Sequence, residues 1–113
     1  MDIKVRHLPG GVAVVSPSEK LNMATAMDLR EAISALVSSG MNFLIIDLSE
    51  VDFIDSSGLG GLVSGLKKAR EQGGDLRLAA PNEQIKLVLE LTNLDKVLAS
   101  FTDAETALQE WPR

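Results

Sequence analysis

Two adjacent serines, Ser56 and Ser57, have the residue types and setting best suited to chemistry, because an aspartate precedes them and a glycine follows them. Apolar residues recur at helical spacing from Leu59 onward, so the serines stand at the start of a predicted helix. One hydroxyl at that place is an ordinary N-cap. A second hydroxyl beside it predicts an exposed corner that another protein can reach. A phosphate added there would meet free amides at the positive end of the helix. From the residues alone, a plain cap and a switch are equal alternatives.

Carboxylates surround this corner, since Asp47, Glu50, Asp52 and Asp55 lie within nine residues and no basic residue stands among them. We expect them where a buried strand ends, at the edge of an α/β sheet where ligands usually bind. They form either a solvated loop that caps a helix or an acidic surface for a partner, on which a phosphate would add bulk and repulsion. A less favoured alternative is a small metal- or nucleotide-binding enzyme with Asp47, Asp52 and Asp55 around a metal ion. Their spacing matches no dedicated calcium loop.

Four glycines fall in the first turns of the same predicted helix, namely Gly58, Gly60, Gly61 and Gly65. Each costs roughly 0.5–1 kcal/mol relative to alanine in a helix, so something must offset them. Either the backbone packs tightly on the sheet or a partner approaches it closely. Gly61 and Gly65 share one helix face, which favours packing on the sheet.

The composition excludes most catalytic machinery. The 113 residues include no cysteine, no tyrosine and one histidine, so disulfides, thiol nucleophiles and cysteine-ligated zinc are absent. That histidine, His7, lies on a predicted hairpin far from either serine, so we predict that the chain is not an enzyme. The net charge of −5 disfavours nucleic acid as a partner. No Lys-Ser/Thr pair follows Gly65, so no phosphate-binding loop is predicted.

The length predicts a single domain over residues 1–113. Alternating apolar and charged residues before Pro9-Gly10-Gly11, and apolar residues 12–15 after it, predict an N-terminal β-hairpin. Residues 43–46 are apolar without interruption, which is typical of a strand covered on both faces. Further strands are predicted at 75–78 and at Val97-Leu98. The fold class is therefore α/β, with a mixed sheet of four to five strands and about four helices.

No segment of the sequence resembles a targeting or membrane-spanning element. The apolar stretch at 43–46 is far too short to cross a bilayer, and the N-terminus lacks the apolar region of a secretory signal. A cytoplasmic protein without a membrane partner is the expectation.

Capping residues mark the predicted helices. Asn22 caps the first, which ends at Gly40 in the left-handed conformation, and Gly73-Gly74 stops the second. Pro81-Asn82 begins the third, and Asn93 ends it in the same left-handed conformation. The buried positions of the first and third helices are predicted at Ala26, Leu29, Ile33, Leu36, Val37, Ile85, Val88 and Leu89.

Three further expectations concern the remaining residues. Thr102 and Glu105 fit a capping box that opens the last helix. Met23 and Met27 are expected to fill the core. Trp111 either docks against the last helix or is exposed.

The segment from Phe43 to Gly60, FLIIDLSEVDFIDSSGLG, strongly resembles the core of the bacterial anti-sigma factor antagonists, the stand-alone STAS domains. The Asp-Ser-Ser-Gly-Leu-Gly run after a hydrophobic strand is its most specific part. The resemblance extends from Leu21-Asn22, through Gln72-Gly73-Gly74, to the segment 91–97. It implies a STAS-like fold for the predicted mixed sheet.

The resemblance also implies a mechanism of partner switching. In that family the unmodified antagonist binds an anti-sigma factor that is also a GHKL-type serine kinase, and the sigma factor is released. The kinase then phosphorylates the first serine of the motif, which corresponds to Ser56, and binding is lost until a PP2C-type phosphatase restores it. ATP belongs to the kinase, so the resemblance implies no cofactor for this chain. The implied partner-binding residues are Asn22, Asp55, Ser56, Ser57, Gly58, Leu59 and Gly60.

Two positions depart from the family pattern, and one alternative output remains. The family often has Asp where Asn22 stands, and asparagine still caps but removes one negative charge. It often has Gly where Asn93 stands, and both residues accept the left-handed conformation. STAS domains also act as scaffold components of stress-signalling assemblies, as partners of secretion regulators and as subunits of lipid-transport ATPases. A similar role in another partner-switching or transport complex is therefore the alternative function.

Overall fold

The computed structural model describes residues 2–109 and 111 of the chain. Within these residues it has seven strands, four α-helices and one 3-10 helix. In chain order they are β1 (Ile3–Leu8), β2 (Val12–Pro17), β3 (Glu19–Leu21), α1 (Met23–Ser38), β4 (Phe43–Asp47), β5 (Val51–Ile54), α2 (Ser56–Glu71), β6 (Asp75–Ala79), α3 (Glu83–Leu91), the 3-10 helix (Leu94–Lys96), β7 (Ser100–Phe101) and α4 (Ala104–Leu108).

A five-stranded mixed sheet in the order β1-β2-β4-β6-β7 forms the centre of the fold. β1 and β2 form the predicted antiparallel hairpin, and its turn places Gly10 and Gly11 at φ +84° and +76°, where glycine avoids a steric penalty. The other three pairings are parallel. The predicted α/β fold, a mixed sheet of four to five strands with about four helices and an N-terminal hairpin, is confirmed.

Helices cover both faces of this sheet. Successive side chains of a strand point to opposite faces, and neighbouring residues of β4 accordingly join different clusters. Ile46 belongs to the large core beneath α1, α2 and α3, whereas Ile45 belongs to a smaller cluster with Ala107 of α4. The apolar run in β4 is therefore uninterrupted because both faces of the strand are buried, as the sequence predicts. The helix residues of the large core include Leu29, Ile33, Leu62, Leu66, Ile85 and Leu89.

The predicted starts of α1 and α3, and the predicted ends of the first three helices, agree with the observed ones. Asn22 and Asn82 are the N-cap residues of α1 and α3. Gly40, Gly73 and Asn93 follow helices with φ of +93°, +81° and +61°, so each takes the left-handed conformation. These ends are set by local chemistry, which is why sequence patterns find them.

The aromatic residue near the C-terminus docks on the sheet. The rings of Trp111 and Phe43 meet edge to face with centroids 5.2 Å apart. The Arg77 guanidinium lies 4.5 Å from the Trp111 ring centroid. The sequence leaves open docking of Trp111 against the last helix or exposure, and the ring contacts observed are instead with Phe43 of β4 and Arg77 of β6.

Two expectations about the last third of the chain are wrong. Val97-Leu98 is not a strand, because Leu98 is buried in an irregular segment after the 3-10 helix and the final strand is β7. The capping box at Thr102 does not form, because Asp103 is the N-cap of α4 and its carboxylate accepts a hydrogen bond of 2.7 Å from the Thr106 amide. That hydrogen bond holds the pKa of Asp103 below its ordinary value.

The expectation that Met23 and Met27 fill the core is also wrong. Their exposed fractions are 81% and 59%. The buried stripe of α1 runs through Ala26, Leu29 and Ile33, and the two methionines lie four residues apart on the adjacent, solvent-facing stripe.

Close packing inside the protein explains some of the glycines of α2 and not others. A Cβ on Gly65 would lie 2.7 Å from Cδ1 of Ile33 in α1 and 3.1 Å from Cδ1 of Leu76 in β6. A Cβ on Gly61 would meet atoms of α1 at 3.7 Å or more, which is ordinary contact. The predicted packing on the sheet is thus correct only in part, because α1 is the main neighbour of this glycine face.

Candidate functional site

A short second sheet brings the candidate site together. The sequence pattern does not predict β3 and β5, because it treats residues 47–55 as a loop, yet these strands pair in parallel with Leu21 opposite Ile54. The Asp55 amide donates a hydrogen bond of 3.1 Å to the Leu21 carbonyl. Since α1 begins directly after β3 and α2 directly after β5, the pairing places the two helix starts side by side.

The start of α1 is closed by a capping box. The Asn22 side-chain oxygen accepts hydrogen bonds from the amides of Ala24 and Thr25, at 3.0 and 3.2 Å. The Thr25 hydroxyl in turn accepts one from the Asn22 amide at 3.0 Å. The prediction that Asn22 caps this helix is therefore confirmed.

This geometry predicts the effect of two substitutions at Asn22. Asn22→Ala should lower the free energy of unfolding by about 1 kcal/mol, because the Ala24 and Thr25 amides lose their acceptor. Asn22→Asp should stay within a few tenths of a kcal/mol of the wild type, since aspartate caps about as well. Urea unfolding of the three proteins measures both. An alanine variant as stable as the wild type would show that the cap contributes nothing.

The start of α2 is capped by an aspartate. Asp55 has extended backbone angles, and its carboxylate accepts a hydrogen bond of 3.0 Å from the Gly58 amide. Ser56 and Ser57 are already the first two helical residues. The interpretation of a serine as the plain N-cap is therefore wrong, and neither hydroxyl is needed to begin the helix.

The two serines differ in their exposure to solvent, a difference that helix-cap chemistry alone does not predict. Ser56 is exposed, whereas Ser57 is half-buried. Asn22, Asp55 and Gly60, three of the other predicted partner-binding residues, are half-buried at the same corner.

The two remaining predicted residues face inward. Gly58 and Leu59 are buried, with an exposed fraction of 5% for Leu59. A Cβ on Gly58 would collide with the carbonyl oxygen of Leu21. These two residues hold the corner in place and do not present side chains to a partner.

Exposed apolar side chains next to this corner are missed by the sequence analysis. Met23 and Met27 lie on the first turns of α1, and Phe53 of β5 has an exposed fraction of 40%. A helical wheel of α1 drawn through its buried stripe would have found the methionines.

An open groove of about 690 Å³ runs along α2 from this corner. Ser56 and Gly60 line its first part, together with Arg30 of α1. Lys67 and Lys68 line its far part. The groove thus starts at an exposed hydroxyl and carries basic side chains, which the acidic sequence around Ser56 does not indicate.

The four neighbouring acids do not form a metal site. Within residues 2–109 and 111, no three histidine, aspartate or glutamate side chains come together in a way that could hold a metal ion. Asp47 instead accepts a hydrogen bond of 3.0 Å from the Ser49 amide, and Asp52 is exposed on β5. The structure therefore gives no support to a metal ion held by Asp47, Asp52 and Asp55.

His7 is exposed on β1, an edge strand of the five-stranded sheet. This agrees with the prediction that it lies on the hairpin.

Comparison with known proteins decides the family. The family model described as "STAS domain" matches residues 3–107. The chain belongs to the STAS domain family. The anti-sigma-F factor antagonist RsfB of Mycobacterium tuberculosis is 34% identical to this STAS domain over 98 residues, which cover 87% of this chain and 80% of the relative. The anti-sigma-B factor antagonist of Bacillus subtilis is 30% identical over 95 residues, covering 84% and 86%.

A solved structure supports the same assignment. The crystal structure of a protein from Thermotoga maritima matches this STAS domain with a TM-score of 0.90 at 30% identity, and the match covers 98% of this chain and 95% of that one. The resemblance to anti-sigma factor antagonists stated from the sequence is thereby confirmed.

None of the helices described in this STAS domain is long and apolar enough to span a membrane.

Proposed function

We propose that this STAS domain is a phosphorylation-switched antagonist of an anti-sigma factor. The unmodified form binds an anti-sigma factor that is also a GHKL-type serine kinase, and the sigma factor is released. Phosphorylation of Ser56 ends the binding, and a PP2C-type phosphatase restores it. The family and the names of the relatives support the partner, and the exposed Ser56 hydroxyl supports the switch.

The observation that carries the proposal is the position of Ser56. It is the first residue of α2, it is exposed, and Asp55 already satisfies the helix cap. In the transfer, the Ser56 oxygen attacks the γ-phosphorus of ATP, an oxygen–phosphorus bond forms, and the bond to the departing ADP breaks. The hydroxyl proton passes to a base of the kinase. ATP and its site belong to the kinase, so this chain supplies only the accepting hydroxyl and acts as a regulatory binding protein, without a cofactor of its own.

The surroundings of Ser56 fit a protein partner. Met23, Met27 and Phe53 expose apolar surface beside it, and methionine is common at adaptable binding surfaces. Asp52 and Asp55 make the same corner acidic, so an added phosphate increases negative charge where the partner docks. The expected result is loss of binding while the fold remains intact.

Mapping of the phosphate tests the proposal. The purified chain is incubated with ATP and a GHKL-type serine kinase from the same genome, and intact mass and peptide mass spectrometry follow. We expect the wild type to gain one phosphate on Ser56, because that hydroxyl is the exposed one. Ser56→Ala should gain none and still bind the kinase.

Ser57→Ala is the matched control, since it removes the neighbouring hydroxyl and should leave the added phosphate unchanged. A phosphate found on Ser57 of the wild type, or on Ser56→Ala, would contradict the assignment.

A further inference from the structure

Arg30 lies across the first turns of α2. Its Nη2 nitrogen is 3.2 Å from the position that a Cβ on Gly60 would occupy. A helical Cβ points toward the N-terminus of its helix, so this position faces the turn that begins with Ser56. Ser56 and Gly60 are four residues apart, which places them on one face with roughly 5–6 Å between their Cβ positions. The guanidinium therefore reaches the part of the groove that Ser56 lines.

The other basic residues of this groove are too distant from Ser56. Arg30, Lys67 and Lys68 are the three that line it within the described residues. With a rise of about 1.5 Å per residue, Lys67 lies about 16 Å along α2 from Ser56. An extended lysine side chain does not cover that distance, so Arg30 is the basic residue of this groove that can meet a group on Ser56.

We propose that Arg30 is the internal counter-ion of a phosphate on Ser56. This rests on the modification proposed above and assigns a binding residue to it. A phosphoserine carries a charge of about −1.5 to −2 near neutral pH, and the guanidinium is a planar fork that suits phosphate oxygens. The pair holds the phosphate against α2 beside Gly60 and offsets its repulsion by Asp52 and Asp55. It also neutralises a positive charge on the surface that the unmodified form offers to its partner.

Phosphorus NMR of a chain with phosphoserine placed at position 56 during translation tests this contact. An adjacent positive charge favours the doubly charged phosphate, so it lowers the second pKa from its ordinary value of about 6. We expect that pKa to be about half a unit or more lower with Arg30 present than in Arg30→Gln. Arg30→Lys should recover part of the difference, because it restores the charge without the fork.

Lys67→Gln is the matched control, because Lys67 lines the same groove but lies too far away. The second pKa of the phosphate in Lys67→Gln should equal that in the wild type. The other charged groups around the site, Asp52, Asp55, Lys68 and Glu71, are the same in every variant, so they do not contribute to the differences. Equal pKa values in the wild type and Arg30→Gln would overturn the proposal, and so would an equal rise in Lys67→Gln. Arg30 is exposed, so its loss should leave the melting temperature of the unmodified chain unchanged.

This result does not depend on any kinase, because the phosphate is installed during translation. Failure of the proposed function appears instead as missing or misplaced phosphate in the kinase reaction.

Discussion

Alanine in place of Gly58 is expected to lower the free energy of unfolding by about 2–3 kcal/mol, although alanine is the better helix former. The added methyl would collide with the carbonyl oxygen of Leu21, and it would lie 2.8 Å from both Cβ of Leu21 and Cγ1 of Ile54. That carbonyl is held in place by its hydrogen bond of 3.1 Å from the Asp55 amide. The backbone of β3 or α2 must therefore move, which breaks the contact that joins the two helix starts.

Gly61→Ala is the matched control for this substitution. Gly61 lies on the same helix, and the nearest atoms to an added Cβ are 3.7 Å away or more. We expect unchanged stability or a gain of up to about 1 kcal/mol from helix propensity. Urea unfolding of both variants and the wild type gives the comparison. Equal losses in both would show that the contact of Gly58 with Leu21 is not what limits this position.

Local patterns in the sequence predict much of the fold. Three kinds of signal act within a few residues of the chain. They are the glycines of the β1–β2 turn, the asparagine caps of α1 and α3, and the apolar run of β4. Their consequences therefore do not depend on the rest of the chain. The corner at Ser56 is predicted for the same reason, because two serines between an aspartate and a glycine follow an apolar strand and open a helix.

Features that depend on distant parts of the chain are not predicted. β3 has three residues and β5 has four, and they become strands only because they pair with each other across the first helix. The difference in exposure between Ser56 and Ser57 is likewise seen only in the folded structure. The position of Arg30 beside Gly60 depends on how α1 packs on α2.

An acidic group at Ser56 is expected to weaken binding of the kinase partner about a hundredfold. Ser56→Asp places an ionised carboxylate where the unmodified hydroxyl meets the partner, and a charge buried in an interface without a counter-charge costs several kcal/mol. A hundredfold change corresponds to about 2.7 kcal/mol. Ser38→Asp is the matched control. Ser38 is exposed at the C-terminal end of α1, and the helix is about 24 Å long, so this residue lies far from the helix start that neighbours Ser56. It makes the same charge change and should leave the affinity within about twofold of the wild type.

The most direct test is an isothermal titration of the anti-sigma factor kinase with the wild-type chain before and after stoichiometric phosphorylation. The account predicts that the unmodified chain binds at least about a hundredfold more tightly than the phosphorylated one. Treatment with phosphatase should restore the original affinity. Equal affinities for the two forms would contradict the claim that the Ser56 hydroxyl controls binding.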